Sequence, residues 1–330
     1  MSISNQTEIK LVRKNTFDNE VIIVDGQGRS GKNLIAVLLS TMPRVEKMRL
    51  DSQVDYIPRY YSLGKISEDA AIVALRTEFD EKLYYNSISR DVNFRLSDYT
   101  GVFKQGKRWL YIKRLFQKAD SEAVERIRKE KPIFQEMTHD GIQFIEIYFK
   151  ALCNRLKFIH ILRHPVHNIY EQNNRDFGTR IGVDPRELQL TYEWNDHIVP
   201  LMAMGHEELW INGAPLERLV VIVETMFRKN LESLKALAEP HSHRVLILEF
   251  EQFVQHPYKD MARLEKFIGQ SFGTGVKRIL KREQCPRIIP EGQLAERTCA
   301  IRTAIRKEYQ LIFDQMLNDY EKFIVEQELE

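Results

Sequence analysis

The hydrophobic pattern of the chain alternates between short continuous apolar runs and stretches with helical spacing. Residues 21–25, Val-Ile-Ile-Val-Asp, read as a buried strand. A glycine-rich turn follows, and the apolar run 34–39 predicts a helix over 33–42, ended by Pro43. Further strand-like runs lie at 132–138, 157–163 and 244–249. Helical patterns follow at 142–152, at 166–176, and after Pro257 to about residue 269. Ser67 opens a helical pattern over 67–86, in which Ile72, Leu75, Phe79 and Leu83 share a face. Residues 44–65, rich in Tyr and Arg, read as irregular, and 220–223 fits either a strand or a helix. The last stretch, 296–327, reads as one helix with a stripe of Ile301, Ile305, Ile312, Leu317 and Tyr320.

Strands alternating with helices predict an α/β fold: three layers, with a central, mostly parallel sheet flanked by helices. We read residues 1–330 as a single domain, with 1–18 a polar lead-in and 177–226, which holds Tyr192, Trp194 and Trp210, an insertion on the acceptor side. Those aromatics fit a core equally well. In parallel sheets, ligands gather beyond the carboxyl ends of the strands. The first three strands end at the loop 26–32, at His139 and at Arg163, which predicts one polar rim.

Composition narrows the function. A net charge of +2 gives no general attraction to nucleic acid or to membranes. Three cysteines, Cys153, Cys285 and Cys299, without a CxxC pair argue against a disulfide framework and a structural zinc, and for a reducing compartment. No secretory signal pattern and no apolar run near the roughly 20 residues of a membrane span is seen, so a cytoplasmic protein is expected. Residues 104–118 carry six basic side chains and no acid, with Trp109, Ile112, Leu115 and Phe116 on one predicted helical face. They read either as a guide for a polyanionic acceptor, such as a partly sulfated glycan, or as a solvated face.

The chemistry concentrates in Gly26-Gln-Gly28-Arg29-Ser30-Gly31-Lys32-Asn33. A strand, a glycine-rich loop and a helix N-terminus together make a ready site for phosphate or sulfate. The segment fits GxxxxGK, but Asn33 stands where a nucleotide triphosphatase needs a hydroxyl for magnesium. Arg29 adds a second cation, which a purely structural turn would not need.

Three segments in order resemble the sulfotransferase family that uses 3′-phosphoadenosine 5′-phosphosulfate (PAPS). Arg29-Ser30-Gly31 is similar to its 5′-phosphosulfate loop, and Phe158-Ile-His-Ile-Leu-Arg163-His-Pro165 to its 3′-phosphate motif. The third is Val245-Leu-Ile-Leu-Glu-Phe-Glu-Gln-Phe-Val-Gln-His-Pro257, and Thr138-His139 falls where the family often has a strand ending in Thr-His. The resemblance implies a P-loop-like fold and PAPS as donor, with adenosine 3′,5′-bisphosphate as product and no metal required. It implies a donor cradle of Gly28, Arg29, Ser30, Gly31, Lys32 and Asn33, with Arg163 and Arg287 at the 3′-phosphate. Arg29 and Lys32 would stabilise transferring charge, and His139 would act as general base, with Glu136 the alternative and Asp140 a helix cap. The acceptor would be a glycan or another small molecule. Glu171 departs from the family pattern, standing where a Ser is usual, eight residues after Arg163. Lys32 and Asn33 replace small hydroxyl residues, and the glycine-rich C-terminal loop is missing, though Arg282, Arg287 and Arg297 lie in that region. The competing readings are a P-loop nucleotide kinase or triphosphatase and a sulfotransferase-like fold that binds without turnover.

Overall fold

The computed structural model describes residues 9–187, 189–237 and 241–328; the first eight residues of the polar lead-in lie outside them. In chain order, β1 (Val21–Asp25) leads through the glycine-rich loop into α1 (Lys32–Leu39). Then come α2 (Ser52–Ser62), α3 (Glu68–Ser87), α4 (Arg108–Arg114) and α5 (Asp120–Glu130). After β2 (Phe134–Met137) follow α6 (Ile145–Leu152), β3 (Leu156–Leu162), α7 (Pro165–Asn173) and α8 (Phe177–Arg180). A hairpin of β4 (Thr191–Trp194) and β5 (His197–Pro200) precedes α9 (Glu207–Asn212) and α10 (Pro215–Lys235). The chain then forms β6 (Val245–Glu249), α11 (Phe250–Gln255), α12 (Pro257–Ile268), α13 (Val276–Arg282), α14 (Gln293–Ala304) and α15 (Lys307–Glu328).

The fold is α/β, with a central parallel sheet of four strands in the order β2-β1-β3-β6, flanked by helices. β1 and β2 run parallel, with Val21 opposite Phe134 and Val24 opposite Met137. Every residue of both strands is buried, which explains why β1 reads as an unbroken apolar run. Contacts group the chain into two compact units that interleave in sequence. The first holds the described residues up to Val24, Ile35–Phe158 and Gln270–Ile279; the second holds Asp25–Leu34, Ile159–Gly269 and the described residues from Leu280 onward.

In the first unit, residues 9–18 form no helix or strand, yet they are tied down: the Leu11 and Thr16 amides donate to Asp69 and Asp80 of α3. Ser67 caps α3 through the Ala70 amide, as its position suggested. The stretch read as irregular contains α2, opened by Asp51, whose carboxylate accepts from the Gln53 amide at 3.1 Å. Pro58 inside the helix and a surface rich in Tyr and Arg hid its period. The basic stretch also differs from expectation. α4 is only seven residues long and buries Tyr111 and Arg114, leaving Trp109 69% and Phe116 86% exposed. Arg114 turns inward because it makes a two-pronged pair with Glu46, at 2.7 and 2.9 Å, and Tyr111 donates to the same carboxylate at 2.6 Å. Lys107 also turns in, to the Pro43 and Val45 carbonyls, and burial lowers its pKa to about 8. Lys118 pairs with Glu122.

The core of the second unit is built around α10. Val220, Val221, Ile222 and Val223, ambiguous between strand and helix, form the buried middle of this 21-residue helix. α10 packs with α7 and α15, and Trp210 joins its core while Tyr192 and Trp194 pack against it. The C-terminal stretch is two helices rather than one. The chain extends at Ile305, and Arg306 donates to Glu217 at 2.9 and 2.8 Å. Asn195 and Asp196, both with positive φ (45° and 64°), make the two-residue turn of the β4–β5 hairpin. Among the described residues no helix is long and apolar enough to cross a membrane.

Candidate functional site

The glycine-rich loop belongs to the second unit. β1 ends at Asp25, whose carboxylate lies 2.8 Å from Nδ1 of His160 in β3, both fully buried. The loop's carbonyls are held from one side. Gly28 accepts from Asn168 and Gln172 of α7, at 3.1 and 3.3 Å, and the Arg29 carbonyl accepts from Arg163. α1 starts directly after the loop, so the positive end of its dipole lies beside Arg29 to Lys32. Arg29 adopts a left-handed backbone, φ 67°, which for a residue with a side chain carries a strain cost of about 1–3 kcal/mol. Its Nε and the Ser30 hydroxyl are buried without a hydrogen-bond partner among the described residues. Burial, followed by the charge of Arg175, lowers the Arg29 pKa. Lys32 is buried, and its ammonium donates to the Gly26 carbonyl at 2.6 Å, so here it ties the loop's ends together.

Gly31 is required by space as well as by φ, which is 93°. A Cβ there would stand 2.1 Å from two ring atoms of Phe250. Gly31→Ala is therefore expected to displace the loop and to destabilise the protein by about 2–4 kcal/mol. Urea unfolding checks this; a change below about 0.5 kcal/mol would mean that Phe250 yields freely.

Phe250, the first residue of α11, also organises the arginines. Arg163 follows β3 and stacks over its ring at 4.7 Å, with Arg287 over the same ring at 5.7 Å. Arg297 lies 3.9 Å over Tyr170 and 3.1 Å from Nδ1 of His167. Arg163, Glu171, Glu251, Arg287 and Arg297 line a cavity of about 200 Å³. Two carboxylates already engage Arg163: Glu251 at 3.5 Å and Glu171 at 3.9 Å. Burial raises the Glu251 pKa, and Arg163 opposes the rise. Burial pushes His164 and His167 down to about 4, so both are neutral at pH 7. Sequence reasoning brought out Arg163, Arg287 and Arg297 but missed Phe250, Asn168 and Gln172, whose roles depend on tertiary contact.

His139 belongs to the first unit, two residues beyond β2. Asp55 of α2 accepts twice from it, from the backbone amide at 2.9 Å and from Nδ1 at 3.0 Å. Arg59 donates to the His139 carbonyl and lies 3.4 Å from Asp55. Burial acts to raise the Asp55 pKa, but the hydrogen bond and charge of His139, with the charge of Arg59, hold it below the usual range. An ionised Asp55 fixes the Nδ1–H tautomer and leaves the lone pair on Nε2, the form a general base needs. Glu136 is wholly buried, accepts from the Asp51 amide at 2.8 Å, and is pushed by burial to about 8. Glu136 has no exposed surface for an acceptor to reach. Asp140 stands at the start of a short 3₁₀ turn but makes no capping hydrogen bond, because its left-handed backbone (φ 54°) departs from the extended cap geometry. Among the described residues no group of three or more His, Cys, Asp or Glu side chains forms a metal cluster.

No family model and no curated protein matches the chain. Solved structures do. The sulfotransferase domain from the Synechococcus PCC 7002 olefin synthase is 14% identical, with a TM-score of 0.47 over 96% of this chain and 98% of its own. The sulfotransferase domain from the curacin biosynthetic pathway is 12% identical, with a TM-score of 0.43 over 90% and 97%. A sulfotransferase from Alicyclobacillus acidocaldarius is 13% identical, with a TM-score of 0.36 over 93% and 97%.

Proposed function

We propose that this protein is a sulfotransferase that moves a sulfuryl group from PAPS to a hydroxyl or amine of a small-molecule or glycan acceptor. The observation that carries the reading is the loop 26–33, held from its carbonyl side by Arg163, Asn168 and Gln172, with Arg29 Nε and Ser30 Oγ buried and unpartnered. Orphaned donors beside a helix N-terminus suit the oxygens of a phosphosulfate. In the transfer, the S–O bond to the donor phosphate breaks as a bond from sulfur to the acceptor atom forms. Negative charge grows on the bridging oxygen, where Arg29 would stabilise it. The acceptor proton passes to Nε2 of His139, and adenosine 3′,5′-bisphosphate leaves. The triphosphatase reading is weaker, because Asn33 offers magnesium no hydroxyl. Binding without turnover has one observation in its favour, the carboxylates on Arg163.

Incubation of ³⁵S-labelled PAPS with a panel of hydroxyl and amine acceptors, in the presence of a chelator, separates these readings. Label transfer that the chelator does not suppress is the expected result. Magnesium-dependent ATP hydrolysis with no label transfer contradicts the reading.

A further inference from the structure

Three guanidinium groups face one cavity, and the one nearest the loop is already engaged. Arg163 donates to the Arg29 carbonyl, stacks on Phe250, and stands within ion-pair distance of Glu251 and Glu171. The two acids are held differently. Glu251, with its side chain 18% exposed, accepts from the His164 amide at 3.1 Å, which anchors it to the backbone. Glu171 sits on the second turn of α7 with its side chain 38% exposed, so rotation toward solvent is open to it. Its charge also acts on Arg29, in the loop.

We propose that Glu171 competes within the chain for Arg163, and so sets how strongly the protein prefers a nucleotide with a 3′-phosphate to one without. This rests on the donor reading above, in which Arg163 meets the 3′-phosphate. A phosphate monoester entering the cavity would bring about two negative charges next to a carboxylate, and like charges at such distances repel. Binding then requires Glu171 to leave Arg163 and turn outward. A 5′-monophosphate makes no such demand at Arg163, because its phosphate belongs in the loop. The carboxylate thus restrains affinity at the 3′ position while leaving the guanidinium neutralised and ordered.

The test is calorimetric titration of the full chain with adenosine 3′,5′-bisphosphate and, separately, with adenosine 5′-monophosphate. Wild type is compared with Glu171→Gln and Glu171→Ser; two variants guard against loss of folding in one. Removing the charge from a partly exposed site is expected to raise the bisphosphate-to-monophosphate affinity ratio about tenfold, which corresponds to about 1.4 kcal/mol. Taking the ratio cancels any general effect of Glu171 on the loop. A rise of threefold or more in both variants supports the proposal. A smaller change, or a fall, overturns it and leaves the donor reading standing. If wild type and variants bind neither nucleotide, the donor reading fails and this inference fails with it.

Discussion

His139→Ala is expected to lower sulfuryl transfer by about 10²–10⁴-fold, the usual contribution of a positioned acid–base group. The expectation follows from the pair that His139 makes with Asp55. Two hydrogen bonds from one residue to one buried carboxylate fix both the position and the tautomer of the ring. Asp55→Asn keeps the shape but removes the charge that stabilises the imidazolium formed on proton transfer. It is expected to lower kcat by a similar order, as in other carboxylate–histidine pairs, without changing KM for the donor. Steady-state kinetics with the labelled donor checks both. A His139→Ala enzyme that retains more than about a tenth of wild-type turnover would remove His139 from the mechanism.

Glu46→Ala is expected to cost about 3–5 kcal/mol of stability, without touching the proposed chemistry. Glu46 and Arg114 are both buried, and the carboxylate takes three hydrogen bonds from Arg114 and Tyr111. Removing it leaves the buried guanidinium near Lys107 without its main counter-charge. Replacing both partners, Glu46→Met with Arg114→Met, is expected to recover most of that loss, since buried pairs often break even against apolar groups. Urea unfolding of the two single variants and the double variant measures this. The pair also contributes to acid sensitivity. Burial acts to raise the Glu46 pKa, but Arg114 and Tyr111 hold it below the usual value. A carboxylate with a depressed folded pKa stabilises above its unfolded value of about 4.3 and loses that contribution as pH falls through the folded value. Equal stability of Glu46→Ala and wild type would show that the pair carries no net weight.

The elements that were legible in sequence are those whose signal is local. β1 is buried on both faces and reads as a continuous apolar run, and α3 carries its own cap at Ser67. The loop 26–33 announces itself by glycine spacing and by two cations. What escaped depends on partners distant in sequence. Asp55 lies 84 residues from His139, on a helix whose period was blurred by Pro58. The buried face of α4 follows Arg114 rather than the apolar stripe, because Glu46 reaches it from another segment. Phe250 is an ordinary aromatic in sequence, yet in space it fixes Gly31 and two arginines. The β4–β5 hairpin had a readable signal in Asn195-Asp196, which the aromatics around it obscured. The break between α14 and α15 lies inside an unbroken apolar stripe, and Arg306 pairing with Glu217 gives it a tertiary cause.

Calorimetric titration with adenosine 3′,5′-bisphosphate in the presence of a chelator, set beside ATP with magnesium, tests whether the loop and Arg163 hold a sulfuryl donor. Saturable, metal-independent binding of the bisphosphate is expected, weakened at least tenfold by Arg29→Ala. Magnesium-dependent ATP binding with no heat from the bisphosphate would contradict it.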